Sequence, residues 1–498
     1  MKKPNILYIM TDQQRLSALG CYGKTVCQTP HLDKLAEQGV LFENAYTVCP
    51  VCTPARATIL TGRYPHIHGM CCNTHNIGCS VHELTDKPEL LSRQLEKLDY
   101  QIGYTGKWHL GGSMRDGYKT FMEEGKPSLP SDVGFTGMDA PGHGDGGHGT
   151  RAYQEYLTRN GYRMELKNKI QTGLIGRHGI LEGDEKSTVA YFLAEHSIEL
   201  MDQFSEEDRP FFITHNFWGP HEPYYVPQKY YDLYKDVSIP PWPNYDWEPE
   251  DLFAPCRVKK NPGGQTPWPI WEEAIRHYYA LTTLIDEQVG RMLAHLEAKD
   301  LLKDTLIFFT SDHGETLGSH GGLTDKGFHH FEETHHVPLL MKLPESSTDL
   351  APTHQGSRVE TVVSSIDFYP TILEFAGKNL ADDDTPELDG RSLLPLIKGE
   401  RSSHPNEAFT EFYGVNQLMT TMFTLRKDHL KYGWNCSSRD ELYDLEKDPY
   451  EMSNLINHPE YQNSLVSLRK RMGALLVESK HQAAGFFKLT VIEGYENK

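Results

Sequence analysis

Short apolar runs alternate with longer amphipathic segments over the first 400 residues of the chain. The apolar runs predict buried strands at residues 5–10, 100–105, 210–216, 305–311 and 337–343. Helical periodicity marks the segments between and after them, at residues 31–38, 89–98, 187–204, 270–296 and 367–375. This alternation predicts an α/β fold with a large, mostly parallel sheet and helices on both faces.

The pattern changes beyond about residue 400. Shorter alternating runs at residues 408–413, 419–426, 430–434 and 441–445 predict a small antiparallel sheet, and residues 461–479 predict a helix. We therefore expect two domains, an α/β catalytic domain at residues 1–400 and a C-terminal subdomain at residues 401–498. A glycine-rich stretch at residues 141–150 predicts a surface loop, whose His143 and His148 are also candidate ligands.

Polar side chains stand just beyond the carboxyl ends of four predicted strands. Ligands of open α/β sheets bind at that edge, so these side chains are expected to form one site. Carboxylate, amide and imidazole groups among them suit a divalent cation. Taken singly, such an aspartate could instead cap a turn or begin a loop. The side chains are Asp12, Gln13, Lys107, His109, His221, Asp312 and His313.

Cys52 precedes a short predicted helix that begins at Pro54 and ends at Gly62. Proline favours the first helical position and glycine the position after the last. Cys52 then lies at the positive end of the helix dipole, with Arg56 one turn further along. Free N–H groups and a guanidinium there suit a tetrahedral oxyanion. The residues thus indicate sulfuryl or phosphoryl transfer.

Two other interpretations of Cys52 stay open at this point. Cys49 and Cys52 could form a redox pair, or half of a zinc site. Seven of the nine cysteines lie between Cys21 and Cys79. Since Cys71, Cys72 and Cys79 do not repeat the Cys-x-x-Cys spacing, a zinc site is less favoured than a reactive group.

The net charge and the length of the apolar runs limit the classes of partner and the location expected for this protein. A net charge of −20 over 498 residues argues against nucleic acid and anionic membranes. An anionic substrate would need a local cationic pocket and a metal. No stretch approaches the ~20 apolar residues of a membrane span, and the apolar run after Lys2 and Lys3 is too short for a signal peptide. The expected location is the cytoplasm, or the periplasm or exterior if a leader has been removed.

Several segments carry a family resemblance. The run Cys-Thr-Pro-Ala-Arg at residues 52–56, followed by Thr-Gly-Arg, resembles the signature of type I, formylglycine-dependent sulfatases of the alkaline phosphatase-like superfamily. Thr-Gly-Lys-Trp-His-Leu-Gly around Lys107, Gly-Pro-His-Glu-Pro-Tyr around His221 and Ser-Asp-His-Gly-Glu around Asp312 are similar to further motifs of that family, as is the segment at residues 441–455. The likeness spans nearly the whole chain in the correct order.

The resemblance implies a chemistry for these residues. Cys52 would be oxidised to formylglycine by a formylglycine-generating or anaerobic sulfatase-maturing enzyme, and the hydrated aldehyde would be the nucleophile. Arg56 and Lys107 would hold it, and His109 would assist the breakdown of the sulfated intermediate. The leaving oxygen would receive its proton from His221 or Lys326, which contact the sulfate.

The resemblance also implies one divalent metal, held by Asp12, Gln13, Asp312, His313 and the group derived from Cys52. Calcium is the expected ion. Gln13 departs from the family pattern, since many members carry aspartate there, and this admits manganese or another metal. Phosphonate monoester hydrolases, which share the nucleophile, resemble this variant. A phosphonate monoester or phosphodiester hydrolase is therefore the alternative to a sulfatase, and a non-catalytic binding protein is a more distant one.

The substrate is expected to be a sulfated small molecule or oligosaccharide, most readily a carbohydrate. Aromatic and polar side chains in loops suit the binding of sugar rings. The candidates for this role are Asn73, His75, Trp218, Tyr413 and Asn416.

Overall fold

The computed structural model describes residues 3–74, 76, 78–112, 127–140, 142–171, 175–247, 266–345, 355–400, 404–415 and 418–494. The strands in these residues are β1 (Asn5–Asp12), β2 (Val40–Phe42), β3 (Ala45–Tyr46), β4 (Gln101–Gly106), β5 (Thr136–Gly137), β6 (Met164–Gln171), β7 (Arg177–Gly183), β8 (Phe211–Pro220), β9 (Tyr224–Pro227), β10 (Thr305–Ser311), β11 (His336–Val337), β12 (Leu339–Lys342), β13 (Ser357–Val359), β14 (Val363–Ser364), β15 (Glu407–Val415), β16 (Leu418–Lys427), β17 (Leu430–Asn435) and β18 (Glu441–Asp444).

Helices connect and cover these strands. They are α1 (Pro30–Gln38), α2 (Cys52–Thr61), α3 (Pro65–His68), α4 (Leu91–Lys97), α5 (Arg151–Asn160), α6 (Val189–Phe204), α7 (Gln228–Tyr231), α8 (Trp268–Ala298), α9 (Ser319–Gly322), α10 (Glu332–His335), α11 (Phe368–Phe375), α12 (Leu394–Ile397), α13 (Gln462–Glu478) and α14 (Ala484–Phe487). No helix of the described ranges combines the length and apolar character that crossing a bilayer requires.

The largest sheet of the described residues has the strand order β13-β2-β12-β10-β1-β8-β4-β5. Strand β1 pairs in parallel with both β10 and β8, and β4 pairs in parallel with β8. Strand β12 is antiparallel to β10 and to β2. The carboxyl ends of β1, β4, β8 and β10 therefore meet at one edge of the sheet.

Alternate residues of β1 enter the two hydrophobic layers of the domain. Leu7 and Ile9 pack in the layer that contains α1, α6 and α8. Ile6, Tyr8 and Met10 pack in the opposite layer, against α2, α4 and α11. A central strand that is buried on both faces is typical of parallel sheets covered by helices. The predicted α/β fold class is confirmed.

The C-terminal residues form an antiparallel sheet in the order β15-β16-β17-β18, which packs with α13 and α14. This agrees with the predicted small sheet and helix. The same hydrophobic cluster contains Val48, Val51, Phe328 and Phe331 of the first domain. The division near residue 400 stays a prediction, because the two parts share this core.

Two features of the first domain differ from the sequence-based prediction. The predicted strand at residues 337–343 is two strands, β11 and β12, which lie on either side of Pro338 and belong to different sheets. Proline lacks the N–H that a continuous ladder needs. A further sheet, β6-β7-β9, was not predicted. Its strand β6 is largely exposed and polar, so it lacks the apolar signal of a buried strand.

Candidate active site

The thiol of Cys52 lies at the beginning of α2. Val51 is extended and Cys52 is the first helical residue, two positions before the Pro54 that was predicted to begin the helix. Gly62 follows the helix with a φ of 66°, in the left-handed region that glycine adopts readily. Cys52 is 0% exposed. The fold therefore holds this sulfur inside the molecule, at the positive end of a helix.

Arg56 joins the carboxylates that end β1 and β10. Its Nη2 lies 2.9 Å from Oδ2 of Asp12 and 2.9 Å from Oδ2 of Asp312. Its Nε donates to Oδ2 of Asp312 at 3.0 Å, and Nη1 donates to the carbonyl of Lys107 at 3.1 Å. One guanidinium thus holds together the ends of three strands, β1, β4 and β10.

Lys107 lies between Asp12 and Cys52. Its ammonium forms an ion pair with the Asp12 carboxylate and lies 3.6 Å from Cys52 Sγ. Burial alone would raise the pKa of Asp12, but Lys107 and other positive neighbours hold that pKa well below its usual range. Burial and Asp12 likewise raise the pKa of the Cys52 thiol. The charges of Lys107 and Lys326 outweigh them and leave this pKa well below its ordinary value.

His313 faces the sulfur from the other side. Its Nε2 lies 3.3 Å from Cys52 Sγ, and its Nδ1 donates to the carbonyl of Gly314 at 2.9 Å. This assignment leaves the lone pair of the neutral ring on Nε2, where it can bind a metal. Oδ1 of Asp312 accepts from the backbone N–H of His313 and of Gln13.

The donor atoms of this cluster fit a divalent cation. One ligand atom from each of Asp12, Cys52, Asp312 and His313 lies within 4.8 Å of the others, and all four residues are buried. Oδ1 of Asp12 is buried without a hydrogen-bond partner among the described residues. A buried carboxylate oxygen normally has such a partner, so an ion would satisfy it.

Gln13 is held by three charged side chains. Its Oε1 accepts from Lys326 Nζ at 2.8 Å, and its Nε2 donates to Asp325 Oδ1 at 3.1 Å and to the Glu315 carboxylate. The sequence analysis missed Glu315 and Asp325. Both residues adjoin predicted site residues in the sequence, since Glu315 directly follows Asp-His-Gly and Asp325 directly precedes Lys326. Those positions were the signal that could have identified them.

His221 reaches the site from the end of β8. Its backbone N–H donates to the carbonyl of Asp12 at 3.0 Å, and its Nδ1 donates to the carbonyl of Glu222 at 2.8 Å. Burial, followed by the charge of Lys326, lowers the pKa of His221 to about 4. The fixed Nδ1–H leaves Nε2 as the nitrogen that can exchange a proton with a ligand.

His109 is buried near His221, and the structure places a third ring between them. The ring centroid of His143 lies 5.0 Å from that of His109 and 4.9 Å from that of His221. Thr53 Oγ1 donates to the carbonyl of His109 at 2.7 Å, which ties it to α2. The predicted surface loop at residues 141–150 is therefore partly packed against the site.

The candidate substrate-binding residues have separate positions. Oδ1 of Asn73 accepts from the backbone N–H of Thr53, beside Cys52. Trp218 is buried, with its indole N–H donating to the carbonyl of His143 at 2.6 Å. Tyr413 contacts Glu411 and His481, with its hydroxyl 2.6 Å from His481 Nε2. The remaining two candidates, His75 and Asn416, lie outside the described residues.

Comparison with known proteins agrees with this site. The sulfatase family model matches residues 4–378, and the model of the C-terminal region of N-sulphoglucosamine sulphohydrolase matches residues 318–478. An arylsulfatase of Clostridium perfringens is 29% identical, over 94% of this chain and 93% of its own. An N-acetylglucosamine-6-O-sulfatase of Bacteroides thetaiotaomicron is 25% identical, over 97% of this chain and 87% of its own.

The fold is also similar to that of solved structures. The crystal structure of the phosphonate monoester hydrolase of Agrobacterium radiobacter superposes with a TM-score of 0.75, at 24% identity, over 96% of each chain. At that identity the likeness concerns the fold. The sulfatase family model covers most of the chain, and this protein therefore belongs to the sulfatase family of sulfuric ester hydrolases.

Proposed function

We propose that the protein hydrolyses a sulfate ester of a carbohydrate, with formylglycine formed from Cys52 and one divalent metal. The observation that carries this proposal is the set of groups around Cys52 Sγ. His313 Nε2 lies 3.3 Å from it and Lys107 Nζ lies 3.6 Å from it, at the first residue of α2. The maturing enzyme that oxidises Cys52 is then a required partner.

The metal would be held by Asp12, Gln13, Asp312 and His313, with the group derived from Cys52 beside it. When bound, it would act as a Lewis acid that polarises an oxygen of the reacting ester. Calcium is the ion we propose, because oxygen ligands predominate in this set. Gln13 contributes a neutral amide oxygen, so the site carries one anionic ligand fewer than with aspartate.

The positive side chains stabilise the charge of the sulfuryl group. Lys107, Lys326 and Arg56 surround the position of Cys52 and are buried. Preorganised charges in a dry site are usually the largest contribution to such a reaction. Ion pairs of Arg56 and Lys107 with Asp12 and Asp312, and the hydrogen bond of Lys326 to Gln13, keep them in place before the substrate arrives.

Four residues are the candidates for proton transfer in this reaction. Asp312 is the candidate base that takes the proton of the attacking hydroxyl. Lys326, or His221 when its Nε2 is protonated, gives a proton to the leaving oxygen, and His109 takes the proton whose loss releases sulfate. These roles are the ones that the resemblance to the sulfatases implies for these residues.

The experiment that tests the nucleophile is mass spectrometry of the peptide that contains Cys52, after co-expression with a sulfatase-maturing enzyme. An aldehyde at residue 52 is expected, together with turnover of 4-nitrophenyl sulfate. Cys52→Ser, which cannot form the second hydroxyl, is expected to accumulate a covalent sulfate ester. An unmodified thiol in an active enzyme, or normal turnover by Cys52→Ser, would contradict the proposal.

The carbohydrate part of the proposal is supported by the relative named N-acetylglucosamine-6-O-sulfatase and by the match to the sulphohydrolase C-terminal region. A panel of monosulfated monosaccharides, assayed by sulfate release, tests it. We expect at least one sugar to be hydrolysed with a higher kcat/KM than 4-nitrophenyl sulfate. Turnover of the aryl ester alone would contradict this part.

Gln13 favours a second candidate, a phosphonate monoester or phosphodiester hydrolase with the same nucleophile. The amide at this position departs from the aspartate of many sulfatases and resembles the variant found in the phosphonate monoester hydrolases. Comparison of kcat/KM for 4-nitrophenyl sulfate and 4-nitrophenyl phenylphosphonate separates the two. A preference for the phosphonate ester would establish the second candidate in place of the first.

A further inference from the structure

The loop that contains His143 is fixed against Trp218. The indole N–H of Trp218 donates to the carbonyl of His143 at 2.6 Å, and Trp218 is 3% exposed. Gly144 follows in the left-handed region, with a φ of 77°. A Cβ on Gly144 would lie 2.9 Å from Trp218 Nε1, so only glycine allows this approach. The backbone at His143 is therefore held in one position.

That position sets the imidazole of His143 between two candidate proton-transfer groups. Its ring is nearly perpendicular to that of His109, at 79°, and lies at 65° to that of His221. His143 is half-buried, which leaves part of the residue accessible to a ligand. Together the three rings make one wall, on the side where the proposed leaving oxygen receives its proton.

We propose that His143 is a specificity-determining residue that hydrogen-bonds a hydroxyl of the sugar next to the leaving oxygen. The inference rests on the proposed function, since it assigns the wall that the alcohol part of the ester contacts. A neutral imidazole can accept one hydrogen bond and donate another, which matches the pattern of neighbouring sugar hydroxyls. Burial, and then Lys107 and the two neighbouring histidines, lower the pKa of His143 well below its usual value, consistent with a neutral ring.

Trp218 has a positioning role in this arrangement. It was predicted to contact substrate, which stays a prediction, and its buried indole holds the backbone of His143. Trp218→Phe keeps most of the ring and removes only the N–H donor. We therefore expect Trp218→Phe to lower kcat/KM for the sulfated sugar, as His143→Ala does, but by a smaller factor.

The test compares four variants of the mature, metal-loaded enzyme: His143→Ala, His143→Gln, Trp218→Phe and His458→Gln. His458 is the control, because it is an exposed histidine of the C-terminal part, with its ring 5.5 Å from that of Tyr461. The substrates are 4-nitrophenyl sulfate and the best sugar from a panel of monosulfated N-acetylglucosamine, N-acetylgalactosamine, galactose, glucose and fucose. Formylglycine content and thermal melting are measured for each variant.

For His143→Ala we expect kcat/KM for the sulfated sugar to fall roughly 10- to 100-fold, as for the loss of a buried hydrogen bond to a ligand. Most of that loss should be in KM. The aryl ester has no neighbouring hydroxyl, so its kcat/KM should change less than about threefold. His143→Gln should recover part of the loss, and His458→Gln should resemble the wild type. Equal losses on both esters, or none on the sugar, would overturn the inference.

A binding measurement separates this inference from the proposed activity. In the Cys52→Ala background, which cannot turn over, calorimetry with the same sugars reports binding alone. If no ester is hydrolysed but His143→Ala still weakens sugar binding, the proposed activity fails and the role of His143 stands. If 4-nitrophenyl sulfate is hydrolysed and no sugar is bound, the sulfatase activity stands and the role of His143 is wrong.

Discussion

The guanidinium of Arg56 makes contacts that no other side chain can reproduce. It bridges Asp12 and Asp312, and it also donates to the carbonyl of Lys107. The planar fork of arginine supplies these donors in fixed directions, whereas lysine supplies one compact charge. One guanidinium thus supplies a shared positive charge to two buried carboxylates, and its loss would leave them without that partner.

Arg56→Lys is therefore expected to lower kcat/KM for 4-nitrophenyl sulfate by about 100-fold or more. The rate is measured per mole of formylglycine, determined by mass spectrometry, so that incomplete maturation does not contribute. The control is Arg93→Lys, where the half-buried arginine of α4 pairs with Asp86 and Glu96. The control should remain within about twofold of the wild type; a similarly small effect of Arg56→Lys would refute the bridging role.

Gln13, unlike Arg56, is a neutral side chain surrounded by charged ones. Its amide donates to the carboxylates of Glu315 and Asp325 and accepts from Lys326. Burial, and then Asp325, already raise the pKa of Glu315. A third carboxylate at this place would have no donor of its own to replace the amide N–H.

We expect Gln13→Glu to lower the free energy of unfolding by about 2–4 kcal/mol at pH 7.5. The loss should shrink as the pH falls to 5, because protonation of one carboxyl restores a donor. Urea unfolding followed by tryptophan fluorescence measures both effects. Gln355→Glu, at an exposed position, is the control and should change stability by less than about 0.5 kcal/mol. A loss that grows toward acidic pH would contradict the explanation.

At the scale of elements, the strands and helices with a strong periodic signal were predictable. Strand β10 and helix α8 are apolar at the positions that the core requires, so their type and extent follow from the sequence. The order of the strands and the reversed direction of β12 do not, since they depend on contacts between distant residues. Strand β6 carries little apolar signal because it lies at the surface.

The candidate site was predictable to a similar degree. Charged and polar residues after strand ends indicated the edge of the sheet where the candidate metal ligands and Cys52 meet. The place of His143 was not predictable, because glycine-rich segments carry no periodicity that would reveal which side chain turns inward. The roles of Glu315 and Asp325 depend on their contacts with Gln13, which the sequence does not show.

Helices α1 and α8 are joined through the carboxylate of Asp286. Its two oxygens accept from the backbone N–H groups of His31 and Leu32, in the first turn of α1, at 3.1 and 2.8 Å. Burial raises the pKa of Asp286 to about 7. The folded protein therefore keeps this carboxyl protonated between pH 4 and pH 7, where the unfolded chain has already lost the proton.

Stability contributed by this group should thus fall as the pH rises from 4 to 7, because the unfolded state binds fewer protons. Asp286→Asn removes the titration. We expect the free energy of unfolding of the wild type, relative to that of the variant, to decrease across this window by on the order of 4 kcal/mol. Urea unfolding at half-unit pH steps measures it. The same comparison with Asp236→Asn, at an exposed position, should show no dependence on pH. If the free energy of unfolding of the wild type, relative to that of Asp286→Asn, instead rises with pH, the assigned cause is wrong.

At the scale of the whole molecule, the C-terminal sheet supports the segment that contains the nucleophile. The backbone N–H of Glu411 donates to the carbonyl of Val48 at 2.8 Å, and Thr410 Oγ1 donates to the carbonyl of Thr47 at 2.7 Å. The buried Lys431 of β17 pairs with Glu332 at 2.9 Å. Residues on both sides of position 400 therefore share one core and one network of charges.

We expect a fragment of residues 1–400 to be insoluble or to lack a cooperative thermal transition, because it would expose this core to water. Co-expression with residues 401–498 should restore a soluble complex. Sedimentation, circular dichroism and limited proteolysis measure the result. A soluble, monomeric fragment with a cooperative melt would show that the first 400 residues fold alone.

The complete burial of Cys52 in the folded protein limits the time during which an enzyme can reach its thiol. Strand β1 cannot pair with β10, and Arg56 cannot join Asp12 to Asp312, until the ribosome has reached residue 312. At about 5–20 residues per second, Cys52 has by then been outside the ribosome for tens of seconds. Under the proposed function, the oxidising enzyme would therefore have a limited interval during translation, and the speed of synthesis between these two positions would set the fraction of molecules that become active.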